Sequence, residues 1–83
     1  MKQENQALAK IGLRIRALRA SRGFTQESFA SEAGLDRAYY GGVERGERNI
    51  SALNLIRIAS ALGVEVGELF PLVEDLTPRK PMP

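Results

Sequence analysis

Histidine, cysteine and tryptophan are all absent from these 83 residues. Without cysteine there is neither a disulfide framework nor a cysteine-based zinc site. Without histidine the usual general base and the usual nitrogen ligand for metals are missing, which argues against most hydrolytic enzymes. No apolar run approaches the length needed to cross a bilayer, and the N-terminus, MKQENQ, is polar rather than signal-like. Strand-type alternation, internal repeats and a glycine-rich phosphate loop are absent too. The length suits one small domain, whose core is marginal unless its helices pack well or the chain associates.

Charge is present but nearly balanced, with a net of +2. Its distribution is less even: Lys10 to Arg22 holds five basic residues and no acid, and Glu65 to Asp75 holds four acids and no base. Such separation fits a face near phosphate and an opposite end away from it, or two ordinary solvated helix faces.

Hydrophobic spacing predicts an all-helical chain. Leu8, Ile11, Ile15 and Leu18 recur at three- and four-residue steps, giving an amphipathic first helix from Ala7 to about Arg22 that Gly23 ends. After a loop over residues 47–50, Ser51 is a plausible N-cap for a fourth helix with Leu53, Ile56, Ala59, Ala61 and Leu62 inward and Gly63 at its stop. Val64 to Phe70 reads as a short fifth helix, with Pro71 either ending it or opening a further turn over residues 72–76. The tail TPRKPMP carries three prolines in seven residues. The expected organisation is a compact five-helix domain over 7–76 with flexible termini at 1–6 and 77–83.

The rest of the chain is organised around residues 25–46, TQESFASEAGLDRAYYGGVERG. Thr25 is placed to cap a second helix whose Phe29, Ala30 and Ala33 share an inner face, and Gly34 suits the left-handed exit. Asp36 then caps a third helix running through Val43, closed by Gly46. Two helices joined by a tight glycine turn make a helix-turn-helix, whose second helix typically enters the DNA major groove. An αα corner in a helical bundle without a DNA role fits the same spacing. Gly41 and Gly42 are poor helix residues, each costing about 1 kcal/mol against alanine. They read either as a close approach of backbone to DNA or as contacts simply lost.

Gly23-x-Thr25-Gln26-Glu27, Ala33-Gly34-Leu35, Glu44-Arg45-Gly46 and Ala61-Leu62-Gly63-Val64 fall in one register. Together they resemble the Xre family of lambda-repressor-like DNA-binding domains. Leu35-Asp36-Arg37 with Tyr39 and Glu44-Arg45 resembles, within it, the controller proteins of restriction–modification systems. The resemblance implies a cytoplasmic bacterial or phage regulator that binds double-stranded DNA as a homodimer, with no catalysis, cofactor, metal, membrane or small-molecule ligand.

By the same resemblance the base-facing positions are Arg37, Ala38, Tyr39 and Gly42, with Arg37 suited to guanine O6 and N7. Phosphate contacts fall to Gln26, Arg45, Arg48, Asn49 and Ser51. Arg19 and Glu44 match an internal salt bridge, and Tyr40 a core position. Seven apolar residues within thirteen, Val64, Val66, Leu69, Phe70, Leu72, Val73 and Leu76, exceed what one short helix turns inward. They place a dimer interface at the C-terminal end, with Leu69 and Phe70 as leading anchors beside Leu72 and Val73. A protein-interaction module or an antitoxin on the same fold is the alternative, motivated by the missing side chains at Gly41 and Gly42.

Overall fold

Most helix boundaries in this chain are set by one hydroxyl, one carboxylate or one glycine. The computed structural model, which describes residues 3–77 and their side chains from residue 6 onward, has five α-helices and one 3-10 turn. They are α1 (Gln3–Ser21), α2 (Gln26–Ala33), α3 (Arg37–Glu44), α4 (Ala52–Leu62), the 3-10 turn Val66–Leu69 and α5 (Val73–Leu76). Thr25 Oγ1 accepts from the Ser28 amide at 3.0 Å while Ser28 Oγ accepts from the Thr25 amide at 3.0 Å. This reciprocal box starts α2. Asp36 accepts from the Tyr39 amide at 3.0 Å to start α3, and Ser51 from the Asn54 amide at 3.1 Å to start α4. Gly34 and Gly63 end α2 and α4 in the left-handed region.

Two boundaries differ from the sequence expectation. α1 begins at Gln3, not Ala7, because residues 3–6 contain no helix breaker and simply extend the first turn. The expected fifth helix over 64–70 is instead the 3-10 turn, followed by α5. Pro71 lacks the amide an α-helix needs, so the chain tightens, stops and restarts. Met1, Lys2 and the proline-rich segment after Thr77 lie outside the described residues.

The core gathers on Phe29, whose ring meets Phe24 edge-on at 5.3 Å and Tyr40 at 5.2 Å between centroids. Ile11 and Ile15 of α1, Val43 of α3, Ile58, Ala59 and Leu62 of α4, and Leu69 of the 3-10 turn close around it. Expected inner residues Leu53 and Ile56 are instead 58% and 53% exposed. α4 carries two apolar stripes, and the one running through Leu55, Ile58 and Leu62 meets α2 and the 3-10 turn.

The position of α3 against α1 depends on two glycines. A Cβ on Gly12 would stand 2.5 Å from the Val43 carbonyl oxygen and press on that of Glu44. Gly46, at φ 76°, lies against Ala9, whose Cα would sit 2.5 Å from any Cβ there. Both pairs put main chain against main chain. Gly12→Ala should therefore destabilise the protein by about 1–3 kcal/mol through overpacking, although alanine is the better helix former. A thermal melt unchanged or raised by this substitution would show that the two helices have room to separate.

Candidate nucleic-acid interface

Glu44, at the end of α3, is the one buried charged residue of the described core, 5% exposed. Its carboxylate accepts four hydrogen bonds from three helices. Arg19 of α1 donates through Nε to Oε2 at 2.6 Å and through Nη2 to Oε1 at 3.1 Å. Gln26 of α2 donates to Oε1 at 2.9 Å, and the Tyr40 hydroxyl to Oε2 at 2.5 Å. A carboxylate offers about four lone-pair sites, so this one is saturated. Burial alone would raise its pKa, but donation from Arg19, Tyr40 and Gln26 outweighs that and holds the carboxyl below its ordinary value. The hydrogen bond to Glu44 raises the pKa of Arg19 against the opposing effect of burial. Burial, with Glu44 beside it, drives the Tyr40 phenol upward, so it stays a donor. Arg19 Nη1 also reaches the Phe24 carbonyl at 2.7 Å, fixing the α1–α2 loop.

With its inner face held in this way, α3 turns the opposite face to solvent. Arg37 and Ala38 are exposed on its first turn. Tyr39 is half-buried against α4, its hydroxyl oxygen accepting from Asn54 Nδ2 at 3.1 Å. Further along, Gly41 and Gly42 are covered by arginines from beyond the helix end. A Cβ on Gly41 would meet Arg45 Nη1 at 3.1 Å, and one on Gly42 would meet Arg48 Cγ at 3.1 Å. Arg45 also forms an exposed pair with Glu47 at 3.1 Å, which lowers the carboxyl pKa of Glu47 and contributes little to stability. The Arg48 guanidinium carbon stands 5.8 Å from the centre of the Tyr39 ring. Asn49 is exposed and Ser51 caps α4.

A helix-turn-helix family model, HTH_3, matches residues 15–69. The chain belongs to this helix-turn-helix family. It is 39% identical over 71 residues to control protein C.MunI of Mycoplasma sp, covering 84% of this chain and 96% of that protein. It is 41% identical over 59 residues to control protein C.BamHI of Bacillus amyloliquefaciens, covering 70% and 73%. Among solved structures, the restriction-modification controller protein C.AhdI from Aeromonas hydrophila superposes with a TM-score of 0.75 at 52% identity, covering 76% of this chain and 96% of that one.

Within this helix-turn-helix domain several residues sit differently from their sequence reading. Leu69, read as a dimer anchor, is completely buried in its own subunit's core. The 3-10 turn rotates it onto α4, and it has no surface left to offer a partner. Gly42, read as base-facing, is buried beneath Arg48. Gln26, read as a phosphate contact, gives one amide hydrogen to Glu44. Four of the five cations between Lys10 and Arg22 bond to other parts of the chain. Lys10 donates to the Asp75 carbonyl at 2.6 Å, Arg14 to that of Glu68 at 2.9 Å and Arg22 to that of Leu62 at 2.8 Å, while Arg19 is held by Glu44. Segregation along the sequence becomes apposition in space, because α1 packs against the acidic segment. Sequence reading missed Asn54, whose side of α4 is decided only when α3 docks.

Removing the carboxylate should strand Arg19 in a site where its side chain is 11% exposed. Glu44→Ala is expected to lower stability by about 3–5 kcal/mol. A parent-like thermal melt would contradict the shared-carboxylate geometry. The pH dependence has a definite sign. A carboxyl held below its ordinary 4.5 contributes stability that is complete above that pH and lost as pH falls through the lowered value. Melts between neutral and acid pH should thus fall more steeply for the parent than for Glu44→Gln.

Proposed function

We propose that this DNA-binding helix-turn-helix regulator acts as a homodimer on a palindromic operator, as a controller protein of a restriction–modification system in the cytoplasm. One observation carries the reading: α3 presents Arg37 and Ala38 on an exposed first turn while its far side is fastened to α1 and α2 through Glu44. C.MunI and C.AhdI, to which the chain is similar, are described as a control protein and a restriction-modification controller protein. Arg37 would donate two parallel hydrogen bonds to a guanine, and Ala38 would touch a neighbouring base. Arg45, Arg48, Asn49, Ser51 and the free amide hydrogen of Gln26 would hold the backbone phosphates that set register. Bound over a promoter the regulator would exclude polymerase, and bound just upstream it would recruit it.

The second copy would sit on Leu72 and Val73, 67% and 72% exposed, beside half-buried Phe70. A two-fold axis there would present two recognition helices about 34–36 Å apart, matching successive major grooves.

Binding to random duplex DNA should weaken steeply with salt, by a log–log slope of about 0.9 per phosphate contacted; a mobility shift insensitive to salt would defeat the DNA-binding reading. Arg37→Ala is expected to weaken cognate binding by about 1–3 kcal/mol and relax preference at one position per half-site. Equal losses on cognate and scrambled DNA would make Arg37 a phosphate contact. In sedimentation at micromolar concentration, Leu72→Asp and Val73→Asp should shift the protein toward monomer and weaken binding to a two-half-site operator. A parent that sediments as a monomer and binds one half-site as tightly as two would rule out the dimer.

A further inference from the structure

Leu72 and Val73 stand in solvent at the start of α5, and the charged side chains of that helix are all acidic. Glu74 and Asp75 are both exposed, and among the described residues neither carboxylate enters an ion pair. Lys10 approaches from α1, but its ammonium is committed to the Asp75 main-chain carbonyl at 2.6 Å. A two-fold axis through Leu72 and Val73 doubles the patch, bringing Glu74 and Asp75 of each copy toward those of the other. Apolar contact across such an axis then works against like-charge repulsion. The sequence supplies the opposite sign at once, because Pro78-Arg79-Lys80 follows Thr77.

The way the chain leaves α5 decides which copy those cations meet. Thr77 is extended, at φ −113° and ψ 144°, and the proline after it disfavours any return to the helical region. Its amide still bonds the Val73 carbonyl at 3.1 Å, so the exit direction is fixed from the helix end. An extended exit carries Arg79 and Lys80, about 7–10 Å of chain beyond Thr77, away from the α5 they follow. We propose that residues 78–83 of one copy dock on the Leu72–Val73 face of the other. Arg79 and Lys80 face the second copy's Glu74 and Asp75, while Met82 and the prolines cover Leu72 and Val73. Three prolines within 78–83 leave less chain freedom to lose on docking. This inference rests on the homodimer reading above and names what joins the two copies.

The test is sedimentation equilibrium of the full chain and two charge-reversed variants, alongside thermal melts. A tail variant combines Arg79→Glu with Lys80→Glu, and an α5 variant combines Glu74→Lys with Asp75→Lys. Each variant alone sets like charges against each other across the axis, and its dimer should dissociate at about tenfold higher concentration than the parent's. Added salt should weaken the parent dimer and strengthen that of either variant. An equal mixture of the two should restore parent-like dimers, since every tail in a mixed pair meets an α5 of opposite charge. A tail lying on its own α5 would gain nothing from mixing, so a mixture no better than its components would overturn the inference. Parent-like dimerisation of the tail variant would overturn it too, and this decides the matter if the α5 variant fails to fold. A tail variant that dimerises as the parent does but loses affinity for a single half-site would place the tail on DNA instead. All three results leave the homodimer standing, whereas a parent that sediments as a monomer would overturn both.

Discussion

A single carboxylate holds the arrangement of the first three helices. Glu44 accepts from α1 through Arg19, from α2 through Gln26 and from its own helix through Tyr40. A buried charge is tolerable only when its desolvation is offset by hydrogen bonds of good geometry, and this one has a donor for each lone pair. The result is more geometrical than energetic. Replacement of such a pair by well-packed apolar groups is often neutral or stabilising, so burial of the pair is weak evidence for stability as such. It nonetheless sets the rotation of α3 about its axis. Tyr40, Val43 and Glu44 face inward, and Arg37 and Ala38 are thereby turned out. All buried side-chain nitrogen and oxygen atoms among the described residues have partners.

Close approach of main chains complements that polar clamp. Gly12 and Gly46 let α3 and the turn after it lie directly on α1, with no side chain between. Every carbon added at that contact would tilt α3 outward and carry Glu44 away from Arg19. The two constraints therefore support one another: glycine sets the spacing of the helices, and the carboxylate sets the angle of rotation.

The parts of this structure legible in the sequence are those decided within four residues of chain. Thr25, Asp36 and Ser51 each bond an amide three positions on, and Gly34 and Gly63 each take up a positive φ, so the helix boundaries they mark depend on no distant contact. The placement of Tyr40 in the core followed from the family register. What escaped the sequence depends on partners. α4 has two apolar stripes, and only docking against α2 selects the one through Ile58 and Leu62 over Leu53 and Ile56. Leu69 moved from expected surface to core because a 3-10 turn rotates each residue further than an α-helix does. The partners of Lys10, Arg14 and Arg22 are backbone oxygens about 40 to 65 positions away, which leave no trace in side-chain pattern. In the candidate site, the exposed first turn of α3 was readable from its cap, whereas the covering of Gly41 and Gly42 by arginines four and six residues later was not.

Those cations have a consequence for how the sequence is able to diverge. Lys10, Arg14 and Arg22 fasten the C-terminal segment and the end of α4 to α1 by bonding main-chain oxygens of Asp75, Glu68 and Leu62. A carbonyl belongs to every amino acid, so substitutions at 68 or 75 leave the acceptor in place. Acceptor positions there are free to drift while the docking persists, and the burden of constancy rests on the donors in α1 and the residue just after it. Related proteins built on this scheme would be able to exchange the outer surface of the C-terminal segment without retuning the helices that precede it.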